Sequence, residues 1–144
     1  MGHTYTVALF HVVFSTKQRA PEIPDIAKLA AYLRGVANNL QIKAVEIGGT
    51  SNHVHALIGL PSTMSIADAV QKLKSNSSRW LRESGAFSGW QTGYGAFSVS
   101  ASNVSAVRAY IRDQEEHHRT RSFEDEFTAL LEKSGVKAAA EVFD

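Results

Sequence analysis

IKAVEIGGTSNHVHALIGL, residues 42–60, carries the reading on which the fold turns. Residues 42–47 alternate as a β-strand, and residues 52–60 form a largely apolar run that contains His53 and His55 and reads as a second strand. Gly48-Gly49 supplies the positive-φ residues that a hairpin turn requires, so the two strands are expected to be antiparallel neighbours. A strand alternates its side chains with a period of two, which puts His53 and His55 on the same face. Two imidazoles on one rigid strand keep a nearly fixed separation and make half of a metal site. The same short pattern also fits a pair of ordinary strand histidines.

Upstream, residues 5–15 (YTVALFHVVFS) are rich in β-branched and aromatic side chains and read as a long strand, ended by polar residues and by Pro21 and Pro24. Ile26, Leu29, Ala30, Leu33, Val36, Ala37 and Leu40 then recur at helical spacing, with Asp25 at the end where a carboxylate favours the helix dipole. Downstream of Pro61, Ser65 is a plausible N-cap for a second helix whose inner face is Ile66, Ala69, Val70, Leu73, Ser77, Trp80 and Leu81, with Gly85 as its stop. Glycines 85, 89, 93 and 95 surround Trp90 and Tyr94, imply a bent or closely approached backbone, and lead into a last strand at 96–100. A third helix is expected from Asn103 to about His118, and a fourth through Phe123, Phe127, Leu130 and Leu131 up to Gly135. The order is β-α-β-β-α-β followed by two helices. That is an α+β, ferredoxin-like (RRM-like) antiparallel sheet with helices on one face plus two C-terminal helices.

At 144 residues, with no repeat, linker or low-complexity run, residues 1–144 are expected to form one domain. The 44% hydrophobic and 20% charged content is near the globular average, and no segment reaches the roughly 18 uninterrupted apolar residues of a membrane helix. No secretory signal is legible at the amino end, and the chain is expected to be cytoplasmic. The absence of cysteine excludes disulfides, thiolate metal sites and a cysteine nucleophile. Net charge is only +1, but acids gather late, from Asp113 to Asp144, and bases early. Lys17, Arg19, Lys28, Arg34, Lys43, Lys72, Lys74, Arg79 and Arg82 can form either a phosphate-binding surface or a solvated face.

In the third helix Tyr110 and Gln114 lie four residues apart and project from one face, with His117 and His118 near it. An H-x-H strand, a Tyr-x-x-x-Gln helix, and a sheet topology widely used for nucleic acids fit one reaction together, although each alone fits ordinary packing.

With these elements in place, the chain resembles the insertion-sequence-200-like transposases, the single-tyrosine branch of the HUH nucleases, over residues 5–131. The stretches that carry the likeness are HVVFSTK at 11–17, Gly48-Gly49 leading into Asn52-His53-Val54-His55, Leu73-Lys74 with SSRWL at 77–81, Trp90-Gln91 with GYGAFSVS at 93–100, and YIRDQEEHH at 110–118. The resemblance implies that His53, His55 and Gln114 hold a divalent ion, Mg2+ or Mn2+. It implies that Tyr110 attacks single-stranded DNA, leaving a 5′-phosphotyrosine and a free 3′-OH. It further implies recognition of hairpins near element ends, and a homodimer in which the tyrosine helix completes the partner's active site; the apolar strand at 94–99 is our own expectation for part of the interface. Lys17, Arg19, Lys72, Lys74, Arg79 and Arg82 are the residues expected to contact DNA. The acidic end, Glu141 to Asp144, is read as favouring the compact type of this family over relatives with a basic tail.

A phenol with a pKa of about 10 is almost wholly protonated at neutral pH, so a nucleophilic tyrosine needs help from its site. No general base is evident from sequence; His117 and His118 are either proton carriers or helix-end histidines at the negative end of the dipole. Two other functions compete. One is a domesticated module of the same fold that binds DNA or RNA hairpins without cutting them. The other is a metal-dependent hydrolase of small phosphoesters, with water as nucleophile and no covalent intermediate.

Overall fold

A computed structural model describes residues 2–136; the acidic end at 141–144 lies outside the described residues. The elements in order are β1 (Leu9–Ser15), α1 (Ile26–Asn39), β2 (Lys43–Thr50), β3 (His53–Gly59), α2 (Ile66–Ser84), β4 (Gly95–Ser98), α3 (Val104–Arg112), α4 (Gln114–His117) and α5 (Phe123–Lys133). The four strands form one sheet in the order β2-β3-β1-β4 with every neighbour antiparallel. This is the expected α+β, ferredoxin-like arrangement.

The helix starts follow from local chemistry. The Asp25 carboxylate accepts from the Lys28 amide at 3.1 Å, and the Ser65 hydroxyl accepts from Asp68 N at 3.1 Å, each satisfying a donor that the first turn of a helix leaves without an intrahelical partner. Ser122 does the same for α5 through Asp125 N.

The alternation of β1 and β3 divides the sheet into two unlike faces. Val12, Phe14, Val54, Ala56 and Ile58 share one apolar core with Leu29 and Leu33 of α1 and Val70 and Leu73 of α2. Each fully buried leucine of this kind contributes about 2 kcal/mol. The register pairs His11 with Leu57, Val13 with His55 and Ser15 with His53, so these six side chains point to the opposite face. There α3, α4 and α5 cover them through Ile111, Gln114, Phe123 and Glu126, all buried.

Four details depart from the sequence reading. The first strand begins at Leu9 rather than residue 5, because β3 ends opposite it at Gly59, and Tyr5 and Val7 stand exposed. Gly48-Gly49 is not the hairpin turn: β2 runs through both glycines to Thr50, which pairs with His53, and Ser51-Asn52 make the turn. Gly48 is instead a close-approach position, since a Cβ there would stand 2.6 Å from the Ile111 carbonyl oxygen. The last strand is Gly95–Ser98, short of the expected 96–100 at its far end because its partner β1 begins at Leu9 and only the Val99 amide bonds beyond it. The third helix breaks at Asp113 (φ −97°, ψ 22°) into α3 and α4, which turns Gln114 inward at the head of a new turn.

Candidate active site

His53 and His55 are both fully buried on the face covered by α3 to α5. His53 Nδ1 lies 2.8 Å from Asn52 Oδ1, an atom that only accepts, so this nitrogen carries the ring proton. Its Nε2 lone pair is then aimed at Gln114 Oε1, 2.9 Å away, and at Glu126 Oε1, 3.5 Å away. The Gln114 amide cannot turn round to relieve this, because its Nε2 donates to Glu126 Oε2 at 3.1 Å and to the Tyr110 carbonyl at 3.4 Å. Acceptor therefore faces acceptor in a buried space, an arrangement that a cation resolves.

His55 Nε2 lies 3.0 Å from Glu126 Oε1, and His55 Nδ1 lies 2.7 Å from Nε2 of the buried His11. With no ion bound, His55 Nε2 faces a carboxylate oxygen and donates to it, while Nδ1 accepts from His11; a proton moved to Nδ1 and donated to His11 would instead turn the second Nε2 lone pair toward the same centre. His53, His55 and Glu126 thus offer one ligand atom each, all within 4.8 Å of one another. Nitrogen and carboxylate donors of this kind, with the Gln114 carbonyl beside them, fit a divalent cation.

Glu126 gathers the rest of the site. Its Oε1 is also 3.0 Å from His118 Nε2, and its Oε2 accepts a short hydrogen bond from the half-buried Tyr110 hydroxyl. The Tyr110 ring stands 5.8 Å from that of His55 and stacks on His117 at 4.7 Å. The His117 Nε2 is buried without a hydrogen-bond partner among the described residues.

Burial dominates the protonation states. It lowers His53 to about 3, with repulsion from His55 adding to the effect and the Gln114 carbonyl, which would accept from a protonated ring, opposing it. His11 is likewise lowered to about 3 by burial and by His55, and His55 is lowered by burial against the pull of Glu126. Burial pushes the Glu126 carboxyl up, but hydrogen bonds from His55 and Tyr110 and the neighbouring imidazoles outweigh it and hold the group well below the usual carboxylate range. Tyr110 is raised above an ordinary phenol by burial and then by its bond to Glu126. The site consists of neutral imidazoles around one carboxylate, with a protonated tyrosine donating to it.

With that geometry established, residues 4–114 match the family described as Transposase IS200 like. The chain belongs to the IS200-like transposase family. Among solved structures, this transposase is similar to a protein of Deinococcus radiodurans described as a candidate transposase, at 26% identity and a TM-score of 0.62, covering 79% of this chain and 96% of that one. It shares the fold of a REP-associated tyrosine transposase bound to a REP hairpin, at 12% identity and a TM-score of 0.56, covering 82% of this chain and 74% of that one. No curated protein matches the chain.

The fold of the transposase brings His53, His55, Tyr110 and Gln114 together; spacing along the chain placed each pair only on one face of its own element. Glu126 was not among the expected site residues, and it is the hub of the cluster. One signal for it is legible: Glu126 falls three residues after Phe123 and four before Leu130, so a lone acid lies on the apolar stripe of α5. His11 and His118 join the site by the same tertiary convergence.

The six basic residues expected at DNA do not form one stripe. Lys72 and Arg79 share a face of α2 with Asn76, whose side chain bonds to the Lys72 carbonyl and the Arg79 guanidinium. Lys74 and Arg82 lie on another face of α2, near Lys17. Arg19 is paired with Glu124 at the start of α5, 3.0 Å away.

Proposed function

We propose that the chain cleaves and rejoins single-stranded DNA through a covalent link to Tyr110. The observation that carries this reading is that the Tyr110 hydroxyl donates to Glu126, the buried carboxylate that also closes the His53–His55 cluster. In the step proposed, the Tyr110 oxygen forms a bond to phosphorus while the bond from phosphorus to the 3′-oxygen breaks. The 3′-oxygen leaves with the electron pair and takes a proton from solvent, giving a free 3′-OH and a 5′-phosphotyrosine. The phenol proton leaves along the hydrogen bond to Glu126 Oε2 and passes on to solvent, because Glu126 is held well below the usual carboxylate range and does not keep it. Rejoining is the reverse attack by a 3′-OH. His53, His55, Glu126 and Gln114 would hold a divalent ion, magnesium or manganese, whose chemistry when bound is that of a Lewis acid at the phosphate.

Asn52 and Thr50 orient His53, at 2.8 and 3.1 Å from Nδ1, and His11 orients His55. His117 stacks on the Tyr110 ring and restricts its swing. Both kinds of contact act on position, and the fixed geometry supplies much of what a weak nucleophile lacks.

The substrate is proposed to be single-stranded DNA with a hairpin near the cut. A structural neighbour was solved with a REP hairpin, and a tyrosine fixed on a helix needs a strand that can be splayed, which duplex stacking resists at about a few kcal/mol per unstacked step. A homodimer joined through β4 is proposed because, among the described residues, β4 ends the sheet with one open edge, a template for a second strand. The resemblance implies completion of each site in trans; Tyr110 meeting Glu126 of its own chain supports completion in cis. No helix among the described residues is long and apolar enough to cross a membrane, which accords with action on DNA in the cytoplasm.

The experiment is incubation of an end-labelled oligonucleotide carrying a hairpin and an unpaired flank, with magnesium or manganese, followed by denaturation. A protein–DNA adduct is expected on the single-stranded form. The same sequence annealed to its complement should give none, and equal cutting of both would replace this reading with a duplex nuclease.

A further inference from the structure

Lys17, Lys74 and Arg82 meet at a groove of about 440 Å3 between α2 and residues 89–94, on the opposite side of the sheet from the histidine cluster. None of the described residues lining the groove is an aspartate or glutamate. Lys74 is fixed there: its ammonium donates to the carbonyls of Gln91 and Gly93, both at 2.8 Å, and keeps a third donor. Gly89, at φ +127°, lets the other two cations close in, since a Cβ on it would stand 3.2 Å from Arg82 Nη2 and 3.4 Å from Lys17 Cε. Three like charges gathered with no counter-charge among the described lining residues raise one another's energy, and an anion lowers it. Beside them Tyr94 lines the groove with 40% of its surface exposed, and Trp90 lines it from the core, held by its Nε1 donating to Ser77 Oγ at 3.1 Å.

Cations next to an open aromatic face suit an unpaired nucleotide, with its phosphate on the charges and its base on the ring; a duplex keeps its base faces stacked and has none to offer. The groove also opens at the catalytic end of the sheet. Ser15 pairs with His53, Thr16 N donates to Asn52 O at 2.9 Å, and Lys17 N donates to Gly89 O at 3.0 Å, so the backbone runs directly from the histidine strand to the groove. We infer that this groove binds an unpaired nucleotide of the DNA strand, its phosphate held by Lys17, Lys74 and Arg82 and its base stacked on Tyr94. The inference rests on the single-strand reading above and adds to it a second point of hold, away from the reacting phosphate.

The test measures binding of fluorescently labelled dT12, an abasic 12-mer and a 12-base-pair duplex to the full chain at several salt concentrations. Lys17→Ala combined with Arg82→Ala should weaken dT12 binding at least about tenfold and flatten its salt dependence. Tyr94→Ala should weaken dT12 by about tenfold while leaving the abasic 12-mer unchanged, because only the stacking partner is lost. With 5-iododeoxyuridine in place of thymidine, photocrosslinks should map to Tyr94. Unchanged dT12 affinity in the double variant, equal losses on the duplex, or crosslinks that avoid Tyr94 would overturn the groove. A wild-type protein that cuts single strands while the variants bind as it does sinks this inference alone. A wild-type protein that neither binds dT12 nor forms an adduct sinks the single-strand reading with it.

Discussion

Tyr110 and Glu126, sixteen residues apart on different helices, share a hydrogen bond from the phenol to a fully buried carboxylate oxygen. The other oxygen of the same carboxylate sits 3.0 Å from His55 Nε2. The nucleophile candidate and the ion-binding candidate are therefore mechanically one unit, and a change at either end should be felt at the other.

Tyr110→Phe removes one oxygen from this unit. Adduct formation should fall to background, while thermal unfolding shifts only by the loss of one donor to Glu126, about 1 kcal/mol. Divalent-ion affinity, read by calorimetry with manganese, should survive. A denaturation-resistant adduct in the Phe variant would place the nucleophile elsewhere.

Glu126→Gln keeps the shape but removes the charge, and manganese affinity should drop sharply with the protein still folded. Glu126→Ala should do more damage. It leaves Tyr110, His118 and Gln114 without their shared acceptor in a buried space, at a cost of about 2–4 kcal/mol in stability. If both variants bind manganese as wild type does, Glu126 is not a ligand.

The metal-free protein should lose stability as it is acidified. His11 and His53 titrate near 6.5 when unfolded but at about 3 in the fold, so between these values the unfolded chain binds more protons. Their share of stability is complete above about pH 6.5 and is lost progressively as pH falls toward 3; Glu126, also depressed, adds to the loss at the acid end. Urea midpoints measured from pH 8 to 4 should be flat and then decline. The decline should be shallower in His11→Gln, and a midpoint that rises on acidification would contradict the neutral-imidazole site.

Mixing His55→Ala with Tyr110→Phe discriminates cis from trans. Each variant lacks one half of the site, so a site completed within one chain gives no adduct from the mixture. Recovery of cleavage on mixing would show that the tyrosine serves a second copy.

Gly48→Ala tests how α3 is seated. A methyl group there meets a backbone oxygen, which cannot swing aside as a side chain can, so the strand and the helix must separate. A loss of about 1–3 kcal/mol is expected, together with cleavage reduced more than single-strand binding, because Tyr110 moves with Ile111. Unaltered cleavage would show that the contact does not hold the tyrosine in place.

Much of this was legible along the chain. The facing of His53 and His55 needs only the period of a strand, the starts of α1 and α2 need only Asp25 and Ser65, and the order of strands and helices follows from where the apolar period changes from two to nearly four. Interactions of this sort reach four residues at most, and a sequence records them directly. Glycines misled because two causes leave the same residue: Gly48 answers to the Ile111 carbonyl packed against it, not to a turn.

Glu126 was beyond that reach. It meets His55 across 71 residues, and what makes it the hub is that α5 lies on the sheet face carrying the histidines, a fact of packing between elements rather than within one. The same holds for the cations: Lys17 comes beside Arg82 because β1 ends where the 89–94 segment returns, while Lys72 and Arg79, closer to Arg82 in sequence, turn to another side of the helix. Periodicity therefore determined which side chains share a face of their own element, and only the tertiary structure decided which faces meet, because that choice depends on burial and charge summed over the whole chain.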